Sequence, residues 1–234
     1  MKNTMKSALS KGLSPMGLVL SDEIQDKLCD FGCAVVKQNE VMNLTAITEP
    51  DRVARLHLLD SVSLLTVENL SGKTLIDVGC GAGFPGVPVK IACPQVSLTL
   101  LDSLGKRMNW LETVLPTLGV EAQCLTARAE EAITTRRESY DYATSRAVAR
   151  LNILLELTAP YVKVGGKVLA MKGSAAREEL AEAKNAIDKL GLKLETVVDF
   201  PVEDGTHSVI VLRKVKPTPP RFPRRYAKIK QAPL

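Results

Sequence analysis

A glycine-rich segment from Asp77 to Gly86 carries the clearest chemistry in this chain, and it directly follows a short apolar run. Glycines at positions 79, 81 and 83 lack a Cβ, so the backbone there can turn sharply and a ligand can approach it closely. Asp77 offers a carboxylate at the mouth of the turn, which suits an ammonium or hydroxyl group better than a phosphate. We therefore expect Asp77, Gly79, Gly81 and Gly83 to bind S-adenosylmethionine (SAM).

The same glycines also match a second cofactor fingerprint. Gly81, Gly83 and Gly86 have the G-x-G-x-x-G spacing of dinucleotide-binding loops, which is a weak signal when it stands alone. Pro85 and a proline three residues later would remove amide donors that a pyrophosphate needs at the start of the next helix. Asp102, at the end of the next apolar run, suits ribose hydroxyls in either cofactor. SAM is the preferred interpretation, and a dinucleotide site or a structural glycine turn is the alternative.

Polar residues also follow the third, fourth and fifth predicted strands. The backbone at Ala129 and Glu130 is expected to lie beside the adenine, although acids there also suit the start of a helix. Arg146 is expected to face the methyl group as the catalytic residue, because a guanidinium can orient a carboxylate, a phosphate or a guanine edge. A structural ion pair is the alternative for Arg146. Lys172 is either a phosphate contact or an ordinary surface lysine.

Several other chemistries lack the residues that they require. No Asn/Asp-Pro-Pro-aromatic run follows the fourth strand, which weakens an exocyclic-amine methylase. No cysteine lies there to attack C5 of a pyrimidine. The five cysteines are scattered and there are only two histidines, so no metal site is expected. His57 is interpreted as a helix-packing or capping residue, with a general base as the alternative.

Positive charge is concentrated at the carboxyl end of the 234-residue chain. The net charge is +5, yet eight Lys and Arg residues and no Asp or Glu follow Leu212. This asymmetry indicates a polyanionic partner, with a solvated basic terminus as the alternative. We expect residues 217–234 to form a flexible, basic, Pro-rich tail that contacts RNA phosphates. The candidates in that tail are Arg221, Arg224, Arg225 and Lys228.

The amino-terminal residues and the hydropathy of the chain indicate where in the cell the protein is expected. No apolar run approaches the roughly 20 residues needed to cross a bilayer. The start of the chain lacks the apolar core of a secretory signal. We expect a cytoplasmic monomer that does not contact a membrane.

Strands and helices must alternate to position these residues. The first dozen residues look loosely ordered, and Ser21 is a plausible cap for the first helix. Helices are predicted near 21–37, 50–65, 85–92, 105–118, 147–162 and 175–190, and strands near 74–78, 97–101, 121–126, 140–145, 166–171, 193–199 and 207–213. The short connection from Val202 to Thr206 predicts a terminal antiparallel hairpin.

This order of elements predicts an α/β fold: a doubly wound, seven-stranded, Rossmann-like sheet of the SAM-methyltransferase type. An N-terminal helical extension (1–66) would precede the methyltransferase domain (67–216), and the basic tail (217–234) would follow it.

The chain resembles the bacterial 16S ribosomal RNA guanine-N7 methyltransferases, the glucose-inhibited division protein B family. The resemblance runs from about Lys37 to the carboxyl end. It is carried by Asn43-Leu44-Thr45-Ala46, His57-Leu58-Leu59-Asp60-Ser61, Asp77 to Gly86, Asp102-Ser103 with Lys106-Arg107, Arg128-Ala129-Glu130, Ser145-Arg146-Ala147 and Lys172-Gly173. The tail departs from the family pattern because Arg224 to Lys228 lacks the usual glycine.

The resemblance implies a site and a reaction. Cofactor positions map onto Gly79, Phe84, Ala129, Glu130 and Arg146, with Asp102 on the ribose, while Lys106 and Arg107 join the RNA-binding candidates. The implied reaction transfers the methyl group of SAM to N7 of one guanine in 16S rRNA or the small ribosomal subunit and leaves S-adenosylhomocysteine. An RNA-associated module that binds SAM without transfer and a small-molecule methyltransferase are the alternatives.

Overall fold

Seven strands form one mixed sheet in the order β3-β2-β1-β4-β5-β7-β6. The computed structural model describes residues 1–202 and 205–234. The strands are β1 (Thr74–Val78), β2 (Ser97–Asp102), β3 (Gln123–Thr126), β4 (Tyr140–Arg146), β5 (Val162–Lys172), β6 (Leu192–Val202) and β7 (Gly205–Lys214). The first five strands are parallel, and β7 pairs antiparallel with both β5 and β6. The predicted fold class and its terminal hairpin are confirmed. The predicted turn contains residues 203 and 204, which lie outside the described residues.

Helices cover both faces of this sheet. They are α1 (Lys2–Leu13), α2 (Asp22–Met42), α4 (Gly86–Ala92), α5 (Gly105–Thr117), α6 (Ala129–Ala132), α7 (Leu151–Thr158), α8 (Ala176–Glu182), α9 (Lys184–Lys189) and α10 (Tyr226–Gln231). A further helical segment, α3, is irregular: Pro50–Val53 is followed by a π-helical stretch, Ala54–Leu59, and then by Asp60–Val62 and Leu64–Val67. The helical periodicity of α3 therefore changes at the π-helical stretch that contains His57.

The amino-terminal residues are helical, so the prediction of loose order there is wrong. Met5, Leu9 and Leu13 recur every four residues and are buried on one face of α1. The lysines of this segment lower its mean hydropathy, and its apolar stripe was therefore not recognised in the sequence. The predicted cap is confirmed, since Ser21 Oγ accepts a hydrogen bond from Ile24 N at 3.3 Å.

Two hydrophobic cores lie on opposite faces of the sheet. Leu75 belongs to one core and Ile76 to the other, as expected when successive strand residues point to opposite faces. Helices α1 and α2 contribute Leu9 and Phe31 to the first core. The division of the chain at residue 66 remains a prediction, and the first core contains residues from both sides of it.

The carboxyl-terminal segment packs against the second core, so the predicted flexibility of the tail is wrong. Thr218, Phe222 and Ile229 are buried, and Phe222 joins the second core. Apolar side chains spaced among the cations explain this, because their burial favours a docked segment over a solvated one. Among the residues that the structure describes, no helix combines the length and apolar character needed to cross a membrane.

Candidate active site

The carboxyl ends of β1, β2 and β4 open onto a cavity of about 540 Å³, called here the glycine-loop cavity. Parallel strands of an open α/β sheet commonly present their ligand site at this edge. The cavity is lined by Leu44, Thr45, His57, Val78, Gly79, Cys80, Gly81, Ala82, Phe84, Leu101, Asp102, Ser103, Arg107, Ala127, Arg128, Ala129, Glu130, Arg146, Ala147, Val148, Leu157 and Tyr226.

The turn after β1 is shaped by glycines that adopt left-handed backbone conformations. Gly79 has φ +74° and Gly81 has φ +56°. A Cβ at Gly79 would lie 2.5 Å from Cγ2 of Val148, so the loop after β4 packs directly on this position. Gly79 N donates to the Leu101 carbonyl oxygen at 2.7 Å, which ties the turn to β2. Gly79 and Gly81 therefore line the cavity wall with partly buried backbone.

Asp77 lies beneath the turn and does not line the cavity. Its side chain is fully buried, and Oδ2 accepts a hydrogen bond from Gly86 N at 2.8 Å. Burial raises the pKa of Asp77 to about 7. Gly83 also points away from the cavity, since a Cβ there would meet Val87, Leu111 and Phe31. Asp77 and Gly83, which were predicted to contact the cofactor, thus pack beneath the glycine turn and do not line the cavity.

Asp102, at the end of β2, accepts hydrogen bonds through both carboxylate oxygens. Oδ2 accepts from Gly81 N at 3.0 Å, and Oδ1 accepts from Leu104 N at 2.9 Å. Asp102 also lines the cavity beside Gly81. The residue expected to contact ribose hydroxyls is thus positioned by one amide of the glycine turn and by one amide of the segment that follows β2.

The loop after β3 forms another part of the wall. Ala129 and Glu130 begin the short helix α6, and both line the cavity. The Ala129 carbonyl oxygen accepts from the Tyr161 hydroxyl at 2.5 Å, and Glu130 Oε1 accepts from Tyr226 N at 3.3 Å. Both sequence interpretations therefore apply to this segment, since it is a helix start and also a cavity wall.

Arg146, at the end of β4, lies against the aromatic ring of Phe84. Its guanidinium carbon is 5.2 Å from the Phe84 ring centroid, and NH1 donates to the Leu56 carbonyl oxygen and to Asp60 Oδ2, both at 2.9 Å. His57 stacks on the same ring, with centroids 4.8 Å apart. The structural ion pair that the sequence left open is present, and Arg146 nevertheless lines the cavity.

His57 is a buried, neutral ring in this cluster. Its Nε2 is 2.8 Å from Thr45 Oγ1, and Nδ1 is 3.0 Å from the Leu56 carbonyl oxygen. Burial, assisted by the charge of Arg146, lowers the pKa of His57 to about 4. This arrangement agrees with the packing interpretation of His57.

A second cavity of about 710 Å³ adjoins the first at Arg146. His57, Arg146, Ala147 and Val148 line both cavities. The second cavity, called here the β4–β5 cavity, is also lined by Ile47, Arg52, Leu56, Asp60, Ala149, Met171, Lys172, Gly173, Ser174, Glu179, Val202, Thr206 and His207. The two spaces therefore meet where Arg146 ends β4.

Asp60 links Arg146 to the last hairpin. Its Oδ1 is 2.9 Å from His207 Nδ1, while Oδ2 accepts from Arg146. Although burial opposes ionisation, the His207 hydrogen bond and the Arg146 charge keep the pKa of Asp60 below its usual value. The same hydrogen bond from Asp60 raises the pKa of His207. Arg146 is therefore held in place from the side of β7.

The remaining predicted RNA contacts differ in exposure. Lys172 is buried, and its ammonium contacts the Ala149 carbonyl oxygen and Glu179, so a phosphate would have to displace these partners. Arg224 binds the buried Glu156. The exposed candidates are Lys106, Arg221, Arg225 and Lys228. Arg107 lines the glycine-loop cavity, and its predicted RNA contact remains a prediction.

The Cys80 thiol and the possible metal ligands of the described residues were compared with what nucleophilic and metal chemistry require. Cys80 lines the cavity, but burial raises the pKa of its thiol, which disfavours a nucleophilic thiolate. No group of three or more His, Cys, Asp and Glu residues with the spacing of a metal site occurs in residues 1–202 or 205–234.

Sequence reasoning missed several residues that the fold brings to the site. Thr45 and Tyr226 come from opposite ends of the chain, and both line the glycine-loop cavity. Asp60 and His207 are 147 positions apart and share a hydrogen bond. The Asn-Leu-Thr and His-Leu-Leu-Asp motifs were the available signals for Thr45 and Asp60. Nothing in the local sequence indicated Tyr226 or His207.

The sheet order and the cavity at its strand ends define the Rossmann-like methyltransferase class. Solved structures with this fold include TYW2 from P. horikoshii in complex with MeSAdo, with a TM-score of 0.55 and 14% identity, covering 67% of this chain and 62% of that chain. TYW2 from M. jannaschii in complex with AdoMet gives a TM-score of 0.52 at 14% identity, covering 63% and 69%. At these identities, the likeness concerns the fold.

The family follows from sequence comparison. The family model of GidB, rRNA small subunit methyltransferase G, matches residues 24–207. The Ribosomal RNA small subunit methyltransferase G of Alkaliphilus metalliredigens is 43% identical over 226 residues, which span 94% of this chain and 95% of that protein. The chain belongs to the GidB family of small-subunit ribosomal RNA methyltransferases. The resemblance seen in its motifs is thereby confirmed.

Proposed function

We propose that this protein uses SAM to methylate N7 of one guanine in 16S rRNA. The observation that carries the proposal is the meeting of two cavities at Arg146. One cavity has the glycine turn and Asp102 suited to SAM, and the other opens beside it for a target base. A methyl donor and a nucleophile must be held next to each other for transfer, and adjoining cavities support that arrangement.

The cofactor end of the proposal rests on the chemistry of the cavity wall. Backbone at Gly79 and Gly81, the carboxylate of Asp102 and the α6 segment at Ala129 and Glu130 suit the amino acid, ribose and adenine parts of SAM. The TYW2 proteins that share the fold were solved with AdoMet and MeSAdo, which supports the same ligand class here. When bound, SAM would supply an activated methyl group, and the protein would supply orientation.

The substrate end rests on Arg146 and its surroundings. Guanine N7 carries an in-plane lone pair, so no proton has to leave before attack. His57 is held neutral by burial, and Asp60 is engaged by Arg146 and His207, which fits a reaction without a general base. Arg146 makes no hydrogen bond through Nε with the described residues, so a donor remains for O6, the acceptor beside N7 on the same guanine edge.

Methyl transfer from labelled SAM to 16S rRNA and to small ribosomal subunits tests the function. We expect N7-methylguanosine at one position in nuclease digests analysed by mass spectrometry. Arg146→Ala should lower the single-turnover rate at saturating RNA and SAM by about a hundredfold, as expected for a misplaced reacting group. Arg177→Ala removes an exposed arginine that lines neither cavity, and it is the matched control. SAM binding without transfer would favour the binding-module alternative, and transfer only to small molecules would favour the other.

A further inference from the structure

The carboxyl-terminal segment reaches the glycine-loop cavity, although the sequence predicted a flexible tail that contacts RNA phosphates. Thr218, Phe222, Arg224 and Tyr226 are tied to the body of the protein by hydrogen bonds. Arg137 donates to the carbonyl oxygens of Thr218 and Phe222, and Glu138 Oε1 accepts from Thr218 N at 2.9 Å. These contacts fix the first half of the tail on the second core.

The second half of the tail is fixed by a buried ion pair and a buried apolar side chain. Arg224 donates through Nε and NH2 to Glu156, which is fully buried on α7. Ile229 is fully buried on the inner face of α10. The orientation of α10 is therefore set on both sides of its first residue, Tyr226.

Tyr226 is the tail residue that meets the cavity. It lines the same space as Gly79 and Asp102, and its backbone N–H donates to Glu130 in the adjacent wall. The aromatic side chain is half-buried at this position. An aromatic ring held beside a nucleoside site is suited to stack on a base or cover its edge.

We propose that Tyr226 forms the tail-supplied wall of the cofactor site and contacts the adenine end of SAM. The proposal rests on the proposed function because it takes SAM as the ligand. Glu130 connects the two elements, since the wall expected to lie beside adenine is also the acceptor of the Tyr226 amide. The tail thus does two things: it presents exposed cations, and it completes the pocket.

Titration calorimetry with S-adenosylhomocysteine and with 5′-methylthioadenosine tests this contact. Methylthioadenosine keeps the nucleoside and lacks the amino acid end. Tyr226→Ala should weaken both ligands by the same factor, about fivefold or more, the lower end of the range for an aromatic side chain on a base. Tyr226→Phe, which keeps the ring, should bind both ligands as the unmodified protein does.

Three results have distinct meanings. Equal affinities of Tyr226→Ala and the unmodified protein for both ligands would overturn the proposal and leave the function intact. Weakened S-adenosylhomocysteine with unchanged methylthioadenosine would also overturn it, because the contact would then lie at the amino acid end. If the unmodified protein bound neither ligand, the proposed function itself would fail.

Limited trypsin digestion of the full chain gives a second readout. The trypsin-sensitive bonds after Arg225 and Lys228 flank Tyr226. A ligand that contacts the tail must stabilise its docked state. We expect saturating S-adenosylhomocysteine to slow loss of the tail at least threefold in the unmodified protein and not in Tyr226→Ala. Ligand binding without such protection would contradict the proposal.

Discussion

Replacing Arg224 by alanine tests whether the tail is an integral part of the fold. Glu156 is fully buried and accepts three hydrogen bonds from Arg224: from the backbone N and Nε at 2.8 Å each, and from NH2 at 2.6 Å. The alanine variant keeps only the backbone donor. Glu156 would then be a buried carboxylate without its compensating cation.

The expected magnitude follows from the geometry of this pair. Removing one partner of a buried ion pair costs about 3–5 kcal/mol. Arg224 is 26% exposed and the backbone donor remains, so water and that amide offset part of the cost. We therefore expect Arg224→Ala to lower the free energy of unfolding by about 2–3 kcal/mol.

Urea denaturation followed by circular dichroism measures this change. Lys230→Ala removes an exposed cation from α10, the helix that follows Arg224, and should lie within about 0.5 kcal/mol of the unmodified protein. Adding Glu156→Gln to Arg224→Ala should recover part of the loss, because the orphaned charge is gone. If Arg224→Ala were as mild as Lys230→Ala, the tail would not be docked through Glu156, and the predicted role of Arg224 as a free phosphate contact would be favoured.

Two further predictions concern the cofactor loop and the buried histidine. Asp102→Ala should weaken SAM by about 1–3 kcal/mol in calorimetry, the range for hydrogen bonds that involve a charged group. Unchanged SAM affinity would refute the assignment of Asp102 to the ribose, and NADH binding that weakens instead, with no SAM binding at all, would revive the dinucleotide alternative. Burial lowers the pKa of His57 to about 4, so between pH 6.5 and 4 the ring is protonated in the unfolded chain and neutral in the folded protein. His57 therefore lowers the free energy of unfolding as pH falls through this window, by up to about 1.4 kcal/mol per pH unit. Urea denaturation at pH 7, 5.5 and 4.5 should show a shallower acid dependence for His57→Gln, and identical slopes would refute a neutral buried ring.

Local sequence determined most of the sheet and the backbone of the glycine turn. The strand over 74–78 was predicted with its observed bounds, because a short apolar run is followed at once by glycines. The hairpin was predictable from the short connection between the last two strands, since only antiparallel neighbours can be joined that way. Motif spacing also indicated the family, because the Phe-Pro-Gly extension of the turn is specific.

The direction of buried side chains was decided by the tertiary structure. Asp77 was expected at the mouth of the turn, yet the loop folds over it and Gly86 N donates a hydrogen bond to its carboxylate. Arg146 was correctly assigned to the end of the fourth strand, but its partners Leu56 and Asp60 come from α3, about 90 residues earlier. Pairings across such separations leave no local pattern, because they depend on how α3 packs against the sheet.

The carboxyl-terminal segment shows most clearly which properties the sequence determines and which ones tertiary packing decides. Charge and proline content identified a basic terminus, and those properties belong to the sequence itself. Whether that terminus is free or docked depends on Glu156 and on the core that receives Phe222, both of which are assembled only when the sheet is complete. Sequence thus determined which chemical groups are present and which backbone turns are allowed, while tertiary packing decided which groups face a ligand, since burial and long-range pairing set the exposure of each side chain.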